Sequence, residues 1–69
     1  MCLAVPGKIT RIDGDKALVD YGSEKRTARL IEDGYSKGDY VIVQAGVVVQ
    51  KVPKQEAIRA LELYNKAVN

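Results

Sequence analysis

The sequence predicts a small, mainly β fold: a closed or nearly closed barrel of about five strands, finished by one C-terminal α-helix. Three observations carry that expectation. At 69 residues and 7.6 kDa the chain is one domain at most, near the lower limit at which a single core holds a fold without staples. Between Lys8 and Pro53, short β-branched runs alternate with Gly and Asp pairs, the pattern of strands joined by tight turns. After Pro53 the apolar spacing changes from strand-like to helical. Closure is expected because it limits the exposed sheet edges that invite aggregation.

The first strand covers about Lys8 to Ile12 and ends at Asp13-Gly14-Asp15, where Gly14 can supply the positive φ of a tight hairpin. Lys16 to Tyr21 is its partner. Gly22-Ser23 turns the chain into Glu24 to Leu30, where Lys25, Thr27 and Arg29 alternate with Arg26, Ala28 and Leu30. One wet face and one mixed face place this strand near an edge. Ile31 to Gly38, holding Asp33-Gly34 and Lys37-Gly38, is the longest connection. Asp39 to Gln44 and Val47 to Val52 are the most strongly β-branched runs, and Ala45-Gly46 between them fits a two-residue turn. They form the core hairpin, with Val41, Val43 and Val48 among its core positions. Beyond it Ala57, Ile58, Leu61, Tyr64 and Val68 recur at helical spacing, mostly opposite Lys54, Glu56, Arg59, Glu62 and Lys66. The expected organisation is a barrel over 1–53 and a helix over 54–69 packed on it, in a single domain. Pro53-Lys54 offers the helix no Ser, Thr, Asp or Asn cap.

Composition narrows the functional classes. Hydrophobic residues at 46% and charged residues at 29% are ordinary for a chain that folds. His is absent, which removes the commonest general base and metal ligand, and with it Ser-His or Cys-His catalysis. With no Phe or Trp and four Tyr, platforms for stacking bases are scarce, and a net charge of +2 has its acids and bases interspersed. A barrel that binds single-stranded nucleic acid is therefore the disfavoured alternative. One Cys cannot form an internal disulfide. The longest uncharged apolar stretches, Met1 to Gly7 and Tyr40 to Val49, are far shorter than a membrane span, and no basic residue precedes the first as in a signal peptide. The expected location is the cytoplasm, with no membrane partner.

Cys2 is the residue with the most chemistry. Initiator Met is generally removed when the second side chain is small, and the mature chain would then begin at Cys2. A terminal Cys can chelate one metal through its thiolate and α-amine, whose ordinary pKa values of about 8.5 and about 7.7 to 8.0 are near enough to neutrality for a metal to displace the protons. Thiolate suits iron, zinc or copper(I) better than magnesium or calcium. The bland alternative is an inert, buried Cys, the commoner fate of a lone one. An enzyme reading, with Cys2 as a terminal nucleophile, has no visible oxyanion site and too little chain to enclose a substrate. Leu3-Ala4-Val5-Pro6-Gly7 would hold the terminus, with Pro6 biasing Val5 towards extended backbone. Asp13, Asp15 and Asp20 lack the distal Glu of a calcium loop, and turn chemistry accounts for the first two. Lys25, Arg26 and Arg29 form the densest basic patch, and solvated edge-strand charges account for it.

Met1-Cys2-Leu3-Ala4-Val5-Pro6-Gly7-Lys8-Ile9 closely resembles the opening of the HypC/HupF/HybG family of nickel-iron hydrogenase maturation chaperones. The likeness continues through Ala17 to Gly22, the basic strand around Arg26, Gly38 to Gly46, Lys51-Val52 and Glu56-Ala57. The resemblance implies an OB-like β-barrel with a C-terminal helix and no enzymatic activity. It implies that Cys2 takes part in binding iron as an Fe(CN)2CO fragment, and that the segment Cys2, Leu3, Ala4, Val5, Pro6, Gly7 binds partners. Those partners would be the iron-sulfur scaffold HypD and then the precursor of the hydrogenase large subunit. One departure stands out: where the family usually has Val-His-x-Gly-Phe, this chain has Val43-Gln44-Ala45-Gly46-Val47. Gln44 can hydrogen-bond but cannot titrate, and its amide oxygen is a poor iron ligand.

Overall fold

Five strands and one helix follow in the expected order in the computed structural model, which describes residues 5–68: β1 (Gly7–Asp13), β2 (Lys16–Asp20), β3 (Lys25–Arg29), β4 (Tyr40–Gln44), β5 (Val47–Val52) and α1 (Lys54–Val68). The turns fall where the residue types demand them. Gly14 takes φ 64° between β1 and β2, and the Ala45-Gly46 turn has φ 52° and 78°, the paired positive values of a tight hairpin.

β1, β2 and β3 form an antiparallel meander, and β4 and β5 a hairpin. Two further joints close the barrel in the order β1-β2-β3-β5-β4. β1 meets β4 antiparallel through Gly7 opposite Val41 and Lys8 opposite Tyr40. β3 meets β5 in parallel through a single pair, Arg29 and Val47, with the Arg29 N–H donating to the Gly46 carbonyl at 2.8 Å. The expectation of a strand near an edge thus survives in modified form: β3 is inside a closed barrel but joined on one side by one rung.

Alternation fills the interior with Ile9, Ala17, Val19, Ala28, Val41 and Val48, against which Tyr21, Leu30, Tyr35 and Val43 pack. Val41 and Val48 are fully buried and Val43 half-buried, as the hairpin reading requires. Each of two strands holds one extra residue, Thr10 in β1 and Val49 in β5, where the pairing register slips. Such bulges add local twist, which a small barrel needs to close. Of the helix side chains up to Leu63, only Ala57 is buried, while Ile58 and Leu63 are 36% and 64% exposed. The helix is anchored at its start. There the Ala57 N–H donates to the Pro53 carbonyl, the capless beginning that the sequence predicts. No helix among the described residues is long and apolar enough to cross a membrane.

Candidate functional site at the barrel mouth

Strand directions decide which residues meet at each end of the barrel. The start of β1, the end of β2, the starts of β3 and β5 and the end of β4 share one mouth. The N-terminal segment leaves the wall there, with Val5 half-buried and Pro6 and Gly7 buried.

Gly7 is required by contact. A Cβ at this position would run into Val19 Cγ1 and stand 2.9 Å from Tyr21 Cε1, closer than real Cβ atoms approach. Only hydrogen fits between the β1 backbone and those two side chains, so the root of the N-terminal segment is fixed against the mouth. The β1–β4 register pairs Gly7 with Val41, in the strand that ends at Gln44. Gln44 itself is exposed on the rim, directly before the Ala45-Gly46 turn.

Between β3 and that turn lies a gap of about 330 Å³, lined by Val19, Tyr21, Val43 and Ala28 together with Arg26 and Thr27. Arg26 Nε donates to Glu24 Oε2 at 3.2 Å, both side chains being largely exposed. Asp20 is engaged in the β2–β3 turn, its Oδ1 accepting the Gly22 N–H at 2.7 Å.

Of the residues singled out in the sequence, Val5, Pro6 and Gly7 lie at this mouth, and Gln44, Lys25 and Arg26 are on the strand ends that share it. Cys2, Leu3 and Ala4 lie outside the described residues. Arg29 is at the far end of β3, 3.9 Å from Asp15. Among the described residues no three His, Cys, Asp or Glu side chains cluster so as to hold a metal ion. Sequence reasoning did not single out Tyr21, whose ring confines Gly7; the one available signal was a Gly where an apolar strand residue could have stood.

These features define a class: a small five-stranded barrel with a trailing helix, whose N-terminal segment is rooted at one mouth. The chain belongs to the HupF/HypC family, whose sequence profile matches residues 1–64. It is 35% identical over 69 residues to the hydrogenase maturation factor HypC of Helicobacter hepaticus, covering 96% of this chain and 80% of that protein. The factor of the same name from Cupriavidus necator is 35% identical over 66 residues, covering 93% and 73%. That from Azotobacter chroococcum is 37% identical over 65 residues, covering 91% and 77%.

Proposed function

We propose that this protein is a hydrogenase maturation chaperone that helps assemble the Fe(CN)2CO fragment and deliver it to the immature large subunit of a nickel-iron hydrogenase. HypD and the large-subunit precursor are its successive partners, met through the segment Cys2 to Gly7. The observation that carries this reading is the family match that begins at residue 1 and so includes Cys2. The mouth geometry supports it, because Pro6 and Gly7, the described end of that segment, are buried in the wall at the mouth.

Iron is cargo in this reading. With Met1 removed, Cys2 offers a thiolate and an amine, and the remaining ligands come from the fragment itself and from HypD. Gln44, exposed on the rim, is suited to hydrogen-bonding the cargo or a partner and cannot take up a proton. The chain's role is to bind and present, in a cytoplasmic setting.

The test compares wild type, Cys2→Ser and Gln44→His, after intact mass has established whether Met1 is removed. Ser exchanges a soft thiolate donor for a hydroxyl that stays protonated at neutral pH. Iron recovered with the chaperone–HypD complex and hydrogenase activity in cells should both collapse with Ser, while the melting temperature barely moves. Gln44→His should fold normally and hold iron at least as well as wild type. Full hydrogenase activity with Ser at position 2 would refute the iron-carrier mechanism.

A further inference from the structure

The single rung between β3 and β5 leaves part of β3 open. Because the Arg29 N–H points to Gly46, the odd-numbered residues of β3 turn their backbone groups towards β5 and the even-numbered ones towards β2. Thr27 and Lys25 follow the same parity towards the mouth. β5 starts only at Val47, so among the described residues no strand stands opposite them. Among the described residues their outward N–H and C=O groups have no backbone partner and form a short open edge.

Beside that edge lies the gap floored by Val19, Tyr21 and Val43. Three of the five residues of β3 are cationic and none is acidic. Arg26 is paired with Glu24 and Arg29 weakly with Asp15, whereas Lys25 has no ion-pair partner among the described residues.

We propose that the open edge of β3 at the mouth binds an extended acidic segment of a partner protein by strand addition. The partner's backbone pairs with Thr27 and Lys25, one of its apolar side chains enters the gap, and its carboxylates meet Lys25 and Arg26. Unpaired strand edges are templates for such pairing, and alternating side-chain positions give it selectivity. The proposal rests on the chaperone reading only in explaining why a partner chain comes to this mouth.

The probes are two blocked hexapeptides, one alternating valine and glutamate and one alternating valine and lysine, titrated into the 15N-labelled full chain. The acidic peptide should bind at least tenfold more tightly, with the largest amide shifts at Lys25, Thr27 and the residues lining the gap. Thr27→Pro removes one outward N–H from the open edge and leaves the β2 ladder intact, a position where proline is tolerated. It should abolish acidic-peptide binding with little change in melting temperature. If that variant fails to fold, the double variant Lys25→Glu, Arg26→Glu, altered only at exposed side chains, should lower the affinity at least tenfold. Peptide binding is read without iron or HypD, so a failed iron-carrier reading and a failed edge are told apart. Equal binding of both peptides, no binding of either, shifts centred elsewhere, or undiminished binding by a folded Thr27→Pro would each overturn the proposal.

Discussion

Gly7 owes its place to the space available, since its surroundings leave no room for a methyl group. Alanine there must push Val19 or the Tyr21 ring aside, and overpacking of this kind costs about 1 to 3 kcal/mol. Gly7→Ala should therefore lower the urea midpoint, and it should weaken partner capture more than an equally destabilising change remote from the mouth. Unchanged stability would mean that the ring moves freely and that the segment is not rooted there. Ala45 is a different case: it adopts φ 52° without glycine's freedom, next to the exposed Gln44. The candidate segment was legible at this scale because Cys2, Pro6 and Gly7 are unusual residues in a fixed order. The reason for Gly7 was not, because Tyr21 reaches it only once β1 and β2 have paired.

Besides backbone hydrogen bonds from Leu30 to Asp15 and from Gly38 to Ile9, one side chain of β5 fastens the long connection between β3 and β4. Lys51 Nζ donates to the Gly34 carbonyl at 2.9 Å, stands 3.2 Å from Asp39 Oδ2 and lies 5.9 Å from the centre of the Tyr35 ring. Asp39 also accepts the Ser36 N–H at 2.9 Å. That backbone hydrogen bond is the main reason its carboxyl titrates below the ordinary 3.8, with Lys51 adding to the effect and burial opposing it. A carboxyl depressed on folding stabilises the protein above its unfolded pKa, and the contribution is lost as pH falls through the lower folded value. Wild type should thus be more stable than Asp39→Asn at pH 7, with the difference disappearing between about pH 4 and pH 2. Lys51→Met should cost about 0.5 to 1.5 kcal/mol at pH 7, a modest figure because the pair is partly exposed. Chemical denaturation at the two pH values checks both expectations, and a gap that persists at pH 2 would rule out the titration as its cause. In sequence Lys51 reads as one more solvated strand charge, and its partners are distant along the chain. The bulges at Thr10 and Val49 were equally hidden, since register is a property of two strands and each run alone fits an unbroken one.

For the whole molecule, the strand order along the chain followed from periodicity and turns, and the barrel from the need to cover edges. The parallel meeting of β3 with β5 was beyond that reasoning, because nothing local to Arg29 or Val47 marks them as neighbours. The same joint sets the sequence of events in folding. The meander over 7–29 and the hairpin over 40–52 each form from contacts close in the chain, whereas the rung from Arg29 to the second hairpin strand forms only after residues 30–39 have been closed into a loop. The two pieces should therefore assemble independently and lock last, and the lock should open first in the native state. Native-state hydrogen exchange would register this as faster exchange at the Arg29 amide than at Val19 in the β2–β3 ladder. Equal protection at both would mean that the barrel opens only as a unit. A barrel whose halves share only one rung on this side can part there while the meander and the hairpin stay whole, and under the proposed function that seam would be the place where a bound partner is let go.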